Sequence, residues 1–269
     1  MAAKDFRDMF SVIMQSGQDR DVFEYYEDDK LIKINYEEFF RKVKGSARKI
    51  REKIDPSESY LALKLPNGPE FSILFWAVLA AGHNIILLNY SDDLDTTIEL
   101  MAQAGTETLI SDKLKEDLAF LSASSLISEA DEFDDNDWGD QVVLCTSGTT
   151  GDSRLFSHAG GSICQMARCL IKLSEDTDRW TRAEVVEKCI AFLPFHHVFG
   201  LMAVYIFTLL GGNTLVFIPS LAPEVVLDSC KKHRVTQVIC IPLFWNALVK
   251  GLYRKIRQTE GERTLKAFE

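Results

Sequence analysis

The sequence predicts an α/β fold, with mostly parallel sheets flanked by helices, and three observations carry that prediction. Runs such as "SYLALKLP", "NIILLN" and "QVVLC" are apolar without polar alternation, as strands covered on both faces must be. Segments of helical length and pattern follow these runs after short turns, and the alternation repeats along the chain. The most unusual polar strings, "TSGTTG" and "PFHH", come directly after strand-like runs, at the carboxyl ends where open α/β sheets collect their ligands.

Taken in order, "SYLALKLP" reads as a strand, "NGP" as a turn, "EFSILFWAVLAA" as a buried helix stopped by Gly82, and "NIILLN" as the next strand, which makes a βαβ unit. A helix over Leu94–Ala104 should stop at Gly105, followed by the strand "TLIS" and a helix over Lys113–Leu121. Then come the strand "QVVLC", a helix over Gly160–Leu173 and the strand "CIAFLP". The last third alternates again: helix "LMAVYIFTLL", strand "NTLVFIP", helix "PEVVLDSCKKH", strand "VTQVICI" and a helix opening at Pro242. Between them, "EADEFDDNDWGD" (129–140) reads as a solvated acidic loop, because it lacks the ligand offsets and the sixth-position glycine of a calcium loop.

Composition narrows the function classes. With 269 residues, 46% hydrophobic and 26% charged, the chain can bury a large core. A formal charge of -10 argues against a nucleic-acid backbone or an anionic membrane as partner for the whole surface, though local donors can still hold small anions. The six cysteines never form a C-x-x-C pair and lie in apolar segments, as core fillers of a reducing compartment would. The opening "MAAKDFRDMFSVIM" does not have the layout of a signal peptide, so the expected location is cytoplasmic. No Asp, Glu, Lys or Arg occurs between Lys188 and Glu224, but "PFHH", Gly211-Gly212-Asn213 and Pro219 break the stretch. The apolar piece left, Val198–Leu210, is too short for a transmembrane segment.

The string "TSGTTGDSRLFSH" (146–158) holds the main candidate site. A loop that cradles polyphosphate needs inward N–H groups, glycines that let the backbone approach, and hydroxyl donors. Gly148 and Gly151 with Thr146, Ser147, Thr149 and Thr150 supply these, and Arg154 adds a cation suited to paired contacts with phosphate oxygens. Neither G-x-x-x-x-G-K-[ST] nor G-x-S-x-G is present, so this is neither the common P-loop nor a nucleophile elbow. Composition alone admits an ordinary Ser/Thr/Gly turn equally well.

The full string resembles the phosphate-binding signature of the adenylate-forming superfamily, which includes acyl-CoA synthetases, peptide-synthetase adenylation domains and luciferases. Thr146 to Gly151 match [ST]-S-G-T-T-G-x-P-K-G, while Ser153, Arg154 and Leu155 stand where proline, lysine and glycine are usual. "LPFHHVFG" resembles the family's LP-x-x-H-x-x-G segment, with His197 at the histidine position. "INYEEFF", "LALKLPNGPEF" and "VTQVICIPLFWNAL" are weaker matches, so the likeness runs over nearly the whole chain.

The resemblance implies an ATP-dependent, Mg²⁺-assisted ligase that activates a small-molecule carboxylic acid as its adenylate and passes the acyl group to a thiol, most simply CoA. Thr146, Ser147, Gly148, Thr149, Thr150, Gly151 and Arg154 would hold the ATP phosphates, Arg154 and His197 would serve catalysis, and Phe195, His196, His197, Phe244 and Trp245 would line the acid pocket. It also implies that residues 1–269 are an incomplete N-terminal AMP-binding domain. One α/β lobe would span approximately 55–185, and part of a second would take in 1–54 and 186–269. The Y-G-x-[ST]-E segment that holds Mg²⁺ and the C-terminal lid domain with its lysine do not occur within the 269 residues, so these residues alone are expected to lack turnover. Two alternatives stay open: a ligase that loads a carrier-protein thiol, and a short non-catalytic nucleotide- or acyl-binding module.

Overall fold

The computed structural model describes residues 3–113, 119–147, 153–175 and 186–259. Its first four elements are α1 (Phe6–Gly17), a hairpin of β1 (Asp21–Glu27) and β2 (Lys30–Asn35), and α2 (Tyr36–Lys53). Asp5 and Asn35 cap the two helices, each accepting a hydrogen bond from the backbone N–H three residues on, at 2.8 Å. The hairpin turns through Asp28 and Asp29, both at positive φ, +46° and +60°, as a two-residue turn of this hand requires.

The next stretch contains β3 (Tyr60–Lys64), α3 (Pro69–Ala80), β4 (Asn84–Leu87), α4 (Leu94–Ala104), β5 (Thr108–Ser111), β6 (Ala119–Ser122) and the single-turn α5 (Ala123–Leu126). It continues with β7 (Gln141–Ser147), β8 (Ser153–Ala159) and α6 (Gly160–Glu175). The strands form one six-stranded sheet in the order β6-β5-β3-β4-β7-β8, parallel except for the antiparallel β7–β8 hairpin. Gly105 ends α4 in the left-handed conformation, φ +68°.

The last stretch supplies β9 (Lys188–Ile190), a π-helical run Gly200–Ile206 that continues as α7 (Phe207–Leu210), β10 (Thr214–Val216), α8 (Pro223–His233) and α9 (Pro242–Thr259). Strands β9 and β10 join the first hairpin in a four-stranded sheet of order β2-β1-β10-β9. Helix α2 packs on β1 and β2 of this sheet, α3 on β3 and β4 of the other, and the two helices on each other. One continuous core therefore spans from Phe23 and Leu215, through Phe10, Phe39 and Trp76, to Leu61 and Ile85. A smaller cluster, with Ala62, Ile86, Leu100 and Val143, seals the far face of the six-stranded sheet beneath α4.

The structure corrects four readings of the sequence and adds to a fifth. Residues 119–121 are in a strand rather than a helix, while 114–118 lie outside the described residues. The strand expected over "CIAFLP" ends at Ile190. "VTQVICI" contributes a single bridge, Gln237 to Cys189. Only Cys164 and Cys189 of the six cysteines are buried, and Cys169 is exposed. The acidic stretch is a loop with most of its carboxylates exposed, as read, but it is also a strap tied to α2. Arg41, Lys44, Arg48 and Arg51 recur on one face of α2 and engage Glu129, Asp131 and Asp134, while Phe133 and Trp138 turn inward onto Phe10, at 5.8 and 5.7 Å.

Candidate active site

Two strand-end features meet the edge where the parallel strands finish. The first is the β7–β8 hairpin. Its last described pairs are Thr146 with Arg154 and Ser147 with Ser153, so the chain leaves β7 and returns on β8 through the glycine-rich segment. Residues 148–152 lie outside the described residues, so Gly148, Thr149, Thr150 and Gly151 have no described position. Arg154 is exposed, in a shallow cleft beside Gln103 and Phe156. Strand β4 runs parallel beside β7, which puts this hairpin tip on the same sheet edge as the residues that follow β3 and β4.

The second feature is a cavity of about 260 Å³ at that edge. Residues after β3 (Leu65, Asn67), β4 (Asn89, Tyr90), β9 (Phe192, His196) and β10 (Ile218, Leu221) line it, so both sheets contribute. Its wall on the β9 side is a short turn: His197 N–H donates to Pro194 O at 3.2 Å, and the π-helical run begins immediately afterwards. A Cβ on Gly200 would lie 2.1 Å from Pro194 O, so only glycine lets the helix start this close to the turn.

His196 and His197 have their ring centroids 4.3 Å apart but play different parts. His196 is half-buried and lines the cavity, whereas His197 is exposed and does not. Burial, with the neighbouring His197, pushes the His196 imidazole down to about 4, so it is neutral at pH 7. Phe195 is wholly buried, stacked on Tyr205 at 4.9 Å, and belongs to the core rather than to the cavity wall. Phe244 stacks on Phe192 at 4.3 Å, behind the wall, and Trp245 is 51% exposed at the start of α9. Neither Phe244 nor Trp245 lines the cavity.

Asn67 carried no assigned role in the sequence. Its side-chain N–H donates to Ala191 O at 3.0 Å and to Leu193 O at 2.7 Å, and its oxygen accepts from Phe195 N–H at 3.0 Å. The signal was present in "LPNGP", but asparagine before Gly-Pro reads first as a turn residue. Among the described residues, no group of three or more His, Cys, Asp or Glu side chains could hold a metal ion. No helix among them is long and apolar enough to cross a membrane.

A family model described as AMP-binding enzyme matches residues 12–267. The chain belongs to that family of adenylate-forming enzymes. A feruloyl-CoA synthase from Amycolatopsis sp. is 26% identical over 229 residues, which is 80% of this chain and 45% of the relative. The o-succinylbenzoate coenzyme A synthetase MenE of Bacillus subtilis, solved in complex with ATP and magnesium ion, superimposes with a TM-score of 0.71 at 19% identity, over 88% of this chain and 65% of that one. The N-terminal subdomain of Klebsiella oxytoca NpsA, in complex with 3-hydroxybenzoyl-AMSN, gives 0.71 at 20% identity, over 96% and 63%. These structural likenesses establish the shared fold. The chain spans about half the length of the curated relatives it matches.

Proposed function

We propose that these residues form the phosphate-holding side and one wall of the acid pocket of an ATP-dependent acid–thiol ligase of the acyl-CoA synthetase type. The observation that carries this reading is the glycine-rich connection between β7 and β8, flanked by Thr146 and Arg154, on the sheet edge that also holds the His196 cavity. The donor set suits a polyphosphate: backbone N–H groups of a Gly/Ser/Thr loop and one exposed guanidinium. The ligands of the MenE and NpsA structures support it.

In this reading Thr146–Gly151 and Arg154 hold the triphosphate, and the guanidinium neutralises charge as pyrophosphate departs. His196, rather than His197, meets the carboxylate of the acid, because it is the ring inside the cavity; a neutral imidazole offers one N–H to fix the carboxylate for attack on the α-phosphate. The flanking Phe192, Ile218 and Leu221 favour an acid with an apolar body. Mg²⁺ would supply further neutralisation of the triphosphate charge, and CoA or a carrier-protein thiol would accept the acyl group.

Calorimetric titration of MgATP and of pyrophosphate into the 269-residue chain tests the reading. Arg154→Ala should weaken binding about tenfold, the loss of one charge-assisted contact, with the melting temperature nearly unchanged because the side chain is exposed. Equal affinity in both proteins would overturn the assignment. Carboxylate-dependent ATP–pyrophosphate exchange by the 269 residues alone would refute the expectation that they lack turnover.

A further inference from the structure

We infer that Asn67 is a positioning residue, whose amide fixes the segment 191–195 and thereby presents His196 to the cavity. The inference rests on reading that cavity as the acid pocket, and it adds a residue from the opposite sheet to the pocket's design.

The segment leaving β9 bends around a single side chain. Strand pairing of β9 stops at Ile190, and beyond it Ala191 N–H still donates to Val216 O at 2.9 Å. From there the backbone groups at alternate residues 191, 193 and 195 all bond to one amide, which uses both of its N–H groups and its oxygen. Those residues are 124 to 128 positions away in the chain, so the contact joins the end of β3 in the six-stranded sheet to the segment leaving the four-stranded one. His196 follows directly, inside the turn closed by the His197 N–H to Pro194 O bond. Without the amide, two carbonyls and one N–H next to the cavity lose these bonds, while the buried rings of Phe192 and Phe195 still anchor the segment's side chains.

The experiment is hydrogen exchange and ¹³C-histidine NMR on the full 269-residue chain, wild type and Asn67→Ala, with His196 assigned by His196→Gln. The Phe195 amide should exchange at least ~10-fold faster in the variant, while the Ala191 amide, bonded to Val216, keeps its rate. The His196 ring, which titrates near 4 when held in the cavity wall, should move at least ~1 pH unit toward the ordinary value. Unchanged Phe195 exchange and unchanged His196 titration in a folded variant would overturn the inference. Asn67→Ser, whose hydroxyl is too short to reach both carbonyls, is read in the same way if the alanine variant does not fold. If neither folds, the wild type decides: slow solvent exchange of the Asn67 side-chain amide protons supports the clamp, and exchange as fast as that of exposed asparagines refutes it. None of these readouts requires a ligand. A chain that fails to bind MgATP therefore defeats the proposed function while leaving the role of Asn67 to be decided separately.

Discussion

In the six-stranded sheet, the covering helix α3 is buried at every residue from Phe71 to Ala80, and the strands beneath it present Leu61, Leu63, Ile85 and Leu87. In the four-stranded sheet, Glu24 of β1 is also buried, but it bonds Lys188 at 2.6 Å, Lys33 at 3.2 Å and the His233 ring at 3.2 Å. Tyr36 reaches across to donate to Asn213 O at 2.8 Å. The core beneath α3 acts by volume and apolar area, whereas the Glu24 cluster adds directed polar contacts to the four-stranded sheet. Substitutions in that core should therefore cost stability regardless of pH, and substitutions in the Glu24 cluster should have a cost that depends on pH.

Trp76→Ala tests the first half. The indole packs on Phe6, Phe10 and Phe75, with centroids 6.3, 5.1 and 5.1 Å away, so its removal opens a large cavity between α1 and α3. A loss of about 4 kcal/mol is expected, constant between about pH 5 and 8, measured as the urea midpoint shift. Lys188→Met tests the second half. Burial opposes ionisation of Glu24, yet Lys188, His233 and Lys33 outweigh it and hold the carboxyl below its usual range. The stability this contributes is present above the unfolded carboxylate value and is lost as pH falls through the folded one. Lys188→Met should cost about 2 kcal/mol at pH 7, less than the ~3–5 kcal/mol of a fully stripped buried charge because Lys33 and His233 remain. The difference from wild type should shrink as pH falls through and below the ordinary carboxylate range and Glu24 protonates. A pH-independent cost would dissolve the contrast between the sheets.

The same contrast explains what could be read in the sequence. The βαβ unit, α4 with its Gly105 stop, β5 and α8 were legible because local signals specify them: unbroken apolar runs, glycine stops and proline starts. Strand β8 was missed because "SRLFSHA" becomes a strand only by pairing with β7. "VTQVICI" has strand composition, yet beyond one bridge its residues find no ladder among the described residues. The ties of the acidic stretch to α2 are not legible in the sequence because its cationic partners lie about 85 residues away. The site followed the same rule. The motif around Arg154 and the histidine pair stand out in the string as candidates, but the placement of His196 at the cavity, the bonds of Asn67 and the burial of Phe195 depend on contacts between the sheets.

His196 extends the pH contrast into the cavity. Its folded value near 4 lies below the ordinary histidine value, so the unfolded chain takes up the proton first as pH falls. Stability from keeping this ring neutral is complete above about pH 6.5 and is lost between there and pH 4. With solvent reaching one side of the ring, the loss should be about 1 kcal/mol. His196→Gln should flatten that limb of the stability profile, and an unaltered profile would mean that the ring is not held in the wall.

The smallest effect expected lies at the outer edge of the polar sheet, in the β1–β2 turn. Asp29 adopts φ +60° there, a conformation glycine reaches without strain and other residues reach only at a cost of ~1 kcal/mol. Asp29→Gly relieves that strain and removes one of three consecutive acids, Glu27, Asp28 and Asp29. Against this stands the extra freedom glycine gives the unfolded chain, ~0.5 kcal/mol or more. A net gain of about 0.5 kcal/mol should remain at low salt, and part of it should disappear at 1 M salt, where like charges no longer repel at this range. A gain independent of salt would assign the effect to backbone strain alone. A loss would mean that the aspartate stabilises the turn through its own side chain, making even this edge of the four-stranded sheet dependent on a directed polar contact.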